Sequence, residues 1–219
     1  MQSFFYKELY MIKVQDNQRI LFIGDSITDI KFNRRFRFSI GGANVYCLQV
    51  AKALKKQHKG LKFFYRGIAS NRSYHVYDRL TKDCINLKPD IIVMLIGVND
   101  AWENYVPEQY PPLMRPLEPH MKEIYRRIKT ELPNAKLITL LPFLISTIEE
   151  KQPFHTVLNQ YIDKLNGYAE GNADEIIALQ PIFDKAEESY APVLLARDSV
   201  HPTNLGHKII ADAVLEKLK

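Results

Sequence analysis

Four side chains stand where their types and settings could support nucleophilic catalysis. Ser26 lies in Gly24-Asp-Ser-Ile-Thr-Asp29, directly after the unbroken apolar run Ile20–Ile23. A serine at the end of a buried strand has its hydroxyl at the rim of the sheet and its own backbone N–H near a helix start. The attacking oxygen and one oxyanion donor then come from one residue. Asp198 and His201 stand three apart in Arg197-Asp-Ser-Val-His-Pro-Thr-Asn-Leu-Gly-His207. Pro202 biases His201 away from helical angles and can itself occupy a first helical turn. One short loop could therefore hold the carboxylate against Nδ1–H and leave Nε2 free to accept a proton, the orientation a serine–histidine pair needs. Asn99 follows the apolar run Ile91–Ile96 and Gly97, where its side-chain amide could face a developing oxyanion. A fourth stretch, Tyr65-Arg-Gly-Ile-Ala-Ser-Asn-Arg-Ser73, suggests a tight turn at Gly67, Ser70 and Asn71 with backbone N–H groups directed into a cleft.

Each stretch also has a plainer reading. Gly-Asp-Ser could be a strand-to-helix turn with a good cap, Asp198 a capping acid, His201 a loop histidine, and Asn99 a turn cap. His207 is a rival base, but its place inside a helical segment suits a surface role better. His58, His75, His120 and His155 share no metal-ligand spacing, so neither a metal site nor a cofactor is expected.

The elements that must position these residues are legible from apolar patterning. Five strand candidates recur at Ile20–Ile23, Leu61–Tyr65, Ile91–Ile96, Lys136–Leu141 and Ile176–Leu179. Unbroken apolar runs of this kind read as strands buried on both faces. Helical patterns lie between them at about 43–57, 74–87, 113–131 and 157–170, with a last one at about 203–218, where Ile210, Ala213, Val214 and Leu218 share one face. Strand–helix alternation implies parallel strands with right-handed crossovers, hence an α/β three-layer sandwich. Segments 102–119, 142–155 and 181–202 lack regular pattern, and the first holds five prolines. All three follow strands and should emerge at the carboxyl edge of the sheet, where open α/β sheets bind ligands. Trp102, Tyr105, Tyr110, Phe143 and Phe154 are candidates there for an acyl or sugar pocket, or for plain loop packing. With the second and third strands flanking the first, all four chemical stretches converge on one spot.

Composition bounds the class. Of 219 residues, 46% are hydrophobic and 25% charged, ordinary for a globular domain with a sizeable core. No stretch approaches the roughly 18 apolar residues of a membrane span. Met1–Tyr10 lacks the features of a secretory signal, so a cytoplasmic protein is expected. Cys47 and Cys84 are expected to be buried free thiols, which suits a reducing compartment. The net charge is +5, and the densest basic run is Lys31-Phe-Asn-Arg-Arg-Phe-Arg37. So small a footprint fits a solvated face rather than nucleic acid. Contact with a polar or anionic part of a substrate is a further option, because the run follows Ser26 closely. No pattern specifies an oligomeric state.

Taken together, the motifs resemble those of the SGNH (GDSL-type) hydrolase superfamily, in that family's block order, over about residues 19–218. Gly24–Asp29 looks like the block carrying the nucleophile, Gly97-Val-Asn-Asp100 like the block carrying the oxyanion asparagine, and Asp198–Thr203 like the last block. With Asn-Asp-Ala-Trp at 99–102, the pattern is most similar to bacterial GDSL-type lipase/acylhydrolase and acetylesterase-like members. The resemblance implies one SGNH hydrolase domain over residues 1–219, flavodoxin-like, with a five-stranded parallel sheet in the order 2-1-3-4-5. It implies Ser26 as nucleophile, His201 as general base and Asp198 as its partner. The oxyanion donors would be Asn99, the Ser26 N–H and a glycine N–H from the second block. Similar members read Arg-Gly-Ile-Ser-Gly-Asn there, whereas this chain places Ser70 at the expected glycine. A backbone N–H survives any side chain, although serine restricts the backbone; Gly67 is the alternative donor if the turn is shifted. The pattern differs from the α/β-hydrolase elbow, which has a glycine where this chain has Thr28.

The activity so implied is that of a serine ester hydrolase, an acylhydrolase or carbohydrate acetylesterase, acting on a small-molecule or glycan ester. Two rivals stand beside it. A magnesium phosphatase with Asp25 as nucleophile would want a second acid two residues on, where this chain has Ile27. The other is a non-catalytic glycan- or nucleic-acid-binding module on the same fold.

Overall fold

Strand β1 (Arg19–Gly24) pairs with the edge strand β2 (Lys62–Gly67) on one side and with β3 (Ile91–Leu95), the middle strand, on the other. β4 (Lys136–Leu141) and β5 (Glu175–Ala178) complete five parallel strands in the order β2-β1-β3-β4-β5, as the resemblance implied. The computed structural model describes residues 11–31, 44–108 and 116–219. Tyr110 and most of the basic run 31–37 lie outside the described residues, as do position 43 and positions 113–115 of two expected helices.

The two-residue period of a strand explains the layers. Ile20 and Phe22 of β1 enter one core together with Ile91, Val93 and Leu95. That core is covered by α1 (Tyr46–Leu54) through Val50 and Leu54, by α6 (Leu179–Glu187) through Phe183, and by α8 (Asn204–Leu215) through Ile210 and Val214. The alternate residues Leu21, Ile23, Ile92 and Met94 enter the opposite core. Over it pack α2 (Ser73–Asp83), α4 (Leu117–Glu131) and α5 (Gln152–Ala169). In α4 the buried residues Leu117, Met121, Ile124, Tyr125 and Ile128 form one helical stripe. Thr139 is a polar residue facing that stripe from β4, and its hydroxyl meets the Tyr125 hydroxyl at 3.1 Å, so neither is left unsatisfied. Cys47 and Cys84 are buried free thiols. Among the described residues, no helix is long and apolar enough to cross a membrane.

Three helices replace segments expected to be irregular. α3 (Val98–Tyr105) starts immediately after Gly97, and the short α7 (Pro192–Leu195) precedes the last loop. α6 begins at Leu179, which the apolar pattern assigned to the fifth strand. Pro181 sits in its first turn, where a missing N–H costs no hydrogen bond. α5 starts at Gln152 rather than near 157, again with proline in the first turn.

β1 and β2 end in register at Gly24 and Gly67. A Cβ on Gly24 would stand 2.2 Å from the Leu95 carbonyl oxygen, and one on Gly67 would stand 2.3 Å from the Asp29 nitrogen. Backbone therefore touches backbone at the carboxyl ends of β1, β2 and β3. Gly67→Ala should lower stability by about 1–3 kcal/mol, because fixed main chain rather than a mobile side chain must yield. Urea unfolding checks this, and an unchanged midpoint would contradict the close approach.

Candidate active site

The turn after β1 holds itself together with its first side chain. Asp25 Oδ1 accepts the Ile27 N–H at 2.9 Å, and the Asp25 carbonyl accepts the N–H groups of Thr28 and Asp29 at 3.2 and 3.0 Å. Asp29 then accepts the Ala69 N–H at 3.1 Å, tying the turn to the loop after β2. Thr28 is anchored to the Tyr46 hydroxyl at 3.0 Å. Ser26 emerges from this braced turn with 4% of its surface exposed.

Across 175 positions of sequence, Ser26 Oγ lies 2.9 Å from His201 Nε2. His201 Nδ1 lies 2.6 Å from Asp198 Oδ2, while Asp198 Oδ1 accepts the N–H groups of Val200 and His201 at 3.1 and 2.7 Å. One carboxylate thus fixes both the imidazole and the backbone that carries it. Burial pushes the Asp198 carboxyl up, but the bond and charge of His201 and the two backbone N–H groups overcome it and bring it down to about 2. It is therefore charged at neutral pH. The loop is pinned at three further points. The Ser199 carbonyl accepts the Ile145 N–H, its hydroxyl accepts the Ile148 N–H, each at 2.9 Å, and Lys151 Nζ donates to the Asp198 carbonyl at 2.6 Å. Thr203 caps α8 by accepting the Gly206 N–H, which ends the loop where the helix begins.

The second residue of α3, Asn99, donates its side-chain amide to the Asn71 carbonyl at 3.0 Å. The start of α3 is locked to α2 by Asp100, which accepts both the Ser73 N–H and, at 2.6 Å, the Ser73 hydroxyl. Ser70 has φ of 62°, the left-handed conformation in which the resembling chains carry glycine. The serine adopts the backbone that the glycine position requires. Its N–H donates to no group among the described residues, whereas Gly67 lies within the β1–β2 pairing.

The structure corrects one expectation and decides between alternatives at others. His207 is fully buried in α8 rather than on the surface, its ring facing that of Tyr46 at 6.4 Å. Burial, followed by repulsion from His201, pushes it down to about 3, so it is a neutral packing residue rather than a rival base. Phe143 and Phe154 are also fully buried. Phe143 stacks on Phe183 at 4.2 Å, and Phe154 meets Trp102 edge-on at 4.9 Å, so both are core rather than pocket lining. Trp102 and Tyr105 stay partly exposed on α3. Asp25 is fully buried and turned into its own turn, which does not present it as a phosphatase nucleophile. Among the described residues, no three His, Cys, Asp or Glu side chains converge as a metal site would need.

Lys151 and Arg79 belong to none of the motifs legible in the sequence. Arg79 donates to Asn71 Oδ1, to the Gly24 and Arg66 carbonyls and to Asp83. Its spacing of three from Val76, a buried residue of the same helix, was the available signal.

A five-stranded parallel sheet in this order, flanked by helices, matches the SGNH-type α/β hydrolase fold. Residues 22–209 match the GDSL-like lipase/acylhydrolase family; the chain belongs to that family and is a carboxylic ester hydrolase. It is 28% identical over 216 residues to an acetylxylan esterase from Geobacillus stearothermophilus, covering 94% of this chain and 96% of that protein. A crystal structure of an acetylxylan esterase from that organism superposes with a TM-score of 0.76 at 28% identity, over 94% of this chain and 96% of the other. Catalytic mutants of that esterase with serine or histidine replaced by alanine superpose with TM-scores of 0.76 and 0.77, at 28% and 27% identity and the same coverage.

Burial pushes the Asp25 carboxyl up to about 7; the Ile27 N–H and the charge of His201 work against this, and the charge of Asp100 adds to it. The folded protein therefore holds a proton that the unfolded chain releases between the ordinary carboxylate range and about 7. Stability from this group falls as pH rises through that window. Asp25→Asn keeps the Ile27 bond without the charge, so its stability relative to the parent should grow across the same window. Thermal melts at acid and neutral pH check this, and a constant difference would contradict it.

Proposed function

We propose that this chain is a serine esterase that removes acetyl groups from carbohydrate esters, working from one SGNH hydrolase domain. The observation that carries the reading is the unbroken chain from Ser26 Oγ through His201 to Asp198, with Asn99 in the first turn of α3 bonded to Asn71 next to Ser70. Ser26 attacks the ester carbonyl carbon while His201 Nε2 takes its proton, and Asp198 stabilises the imidazolium so formed. The carbonyl π pair moves onto oxygen, where Asn99, the Ser70 N–H and the Ser26 N–H receive the negative charge. Collapse of this intermediate breaks the bond to the alcohol, which leaves with the proton from His201. Water activated by the same imidazole then attacks the acyl-enzyme, releasing the acid and restoring Ser26.

The acetyl-carbohydrate assignment draws on likeness to the acetylxylan esterase and on partly exposed Trp102 and Tyr105, one and two turns along the helix that carries Asn99. Aromatic faces of this kind suit the apolar faces of sugar rings. The buried free thiols Cys47 and Cys84 suit a reducing, cytoplasmic setting.

Release of acetate from acetylated xylo-oligosaccharides, with p-nitrophenyl acetate as a general probe, tests the reading. Ser26→Ala should lose about 10⁴–10⁶-fold in rate, and Asn99→Ala about 10²–10³-fold. Near-normal turnover by Ser26→Ala would overturn the mechanism. Turnover of p-nitrophenyl acetate without acetate release from the glycan would overturn the substrate class alone.

A further inference from the structure

We propose that Arg79 is a positioning residue that acts through Asn71 to fix the two oxyanion donors not supplied by the nucleophile. The inference rests on the esterase reading and deepens it. Arg79 stands on α2 with 12% of its side chain exposed, although nothing in the reaction calls for a cation there. Its guanidinium spends four donors inside the protein. Nη2 reaches the Gly24 carbonyl at 3.0 Å, Nη1 the Arg66 carbonyl at 2.9 Å and Asp83 Oδ2 at 3.1 Å, and Nε the Asn71 side-chain oxygen at 2.9 Å.

Asp83 alone would supply a counterion. The other three bonds go to the end of β1 two residues before Ser26, the end of β2, and the loop carrying Ser70. One rigid planar fork thereby sets the distances among these segments, which a lysine ammonium has no geometry to do.

Asn71 passes this constraint on in two directions. Its carbonyl accepts the Asn99 side-chain amide at 3.0 Å. That bond occupies one Nδ2–H and aims the other, so the amide plane is set by where Asn71 sits. The Asn71 N–H donates to the Ile68 carbonyl at 3.2 Å, closing the turn that holds Ser70 at φ of 62°. A left-handed serine persists only where its surroundings over-determine it. If Asn71 shifts, the Ser70 N–H and the Asn99 amide lose their aim together. Misplaced donors weaken transition-state binding far more than ground-state binding.

The test is a mutant cycle on p-nitrophenyl acetate using Arg79→Lys, Asn71→Ala and Asn99→Ala. Asn71→Ala keeps the other three Arg79 bonds, so it serves if Arg79→Lys fails to fold. Each of Arg79→Lys and Asn71→Ala should lower kcat about 10–100-fold with KM little changed and the pH profile unmoved. Combined with Asn99→Ala, the loss should fall well short of the product of the single losses. Losses that multiply, a change confined to KM, or a fall in Tm at unchanged kcat would each overturn the proposal. The Asn99 side-chain amide resonance, read by NMR without turnover, should shift or broaden in both variants; an unchanged resonance overturns the relay. A parent protein without ester turnover would overturn the esterase reading instead.

Discussion

The structure depends on how closely three parallel strands approach where their carboxyl ends meet. Gly24 and Gly67 stand opposite each other, and neither position has room for a Cβ. Main chain packs on main chain there, so the turns leaving β1 and β2 begin at one level and run side by side. The Asp29 carboxylate, accepting the Ala69 N–H, seals them. The Ser26 hydroxyl and the loop carrying Ser70 leave adjacent strand ends that nothing bulky separates. The buried residues of β1 and β3 hold this arrangement rigid by filling both faces of the sheet.

The imidazole arrives by a different route. It rides on a loop with little regular structure, and such a loop needs fastening by side chains. Asp198 fastens it from within, through two backbone N–H groups and the ring itself. Ser199 and Lys151 fasten it from without, to the segment after β4. A carboxylate charged at neutral pH and a hydroxyl within hydrogen-bond reach of the ring leave His201 set between an orienting acid and a group it could deprotonate.

The strands were legible because a strand buried on both faces shows as an unbroken apolar run, and the run Lys136–Leu141 matches the strand to the residue. The helices Val98–Tyr105 and Leu179–Glu187 were hidden. A glycine opens the first and a proline lies in the first turn of the second, residues that read as loop unless a helix start is already suspected. Ser26, Asn99, Asp198 and His201 were legible as types at telling positions; the structure brings Ser26, His201 and Asp198 into one hydrogen-bonded row and ties Asn99 to Asn71 on the loop after β2. Ser70 was visible as a departure from a resembling pattern, and its left-handed φ supplies the physical reason that a glycine is expected there. His207 was misplaced because a helix residue does not announce which way it faces, whereas Phe143 and Phe154 take the packing role that the sequence offered beside the pocket one. Arg79 was not legible either, since two of its four partners are main-chain carbonyls, which carry no sequence signature.

The central claim is that Ser26 is made nucleophilic by His201. The most direct measurement is mass spectrometry of the peptide labelled by a fluorophosphonate, with the parent protein and His201→Ala side by side. One adduct, on Ser26, is expected in the parent, with labelling severely slowed when His201 is replaced. Labelling on another residue, or labelling of Ser26 at the same rate without the imidazole, would contradict it.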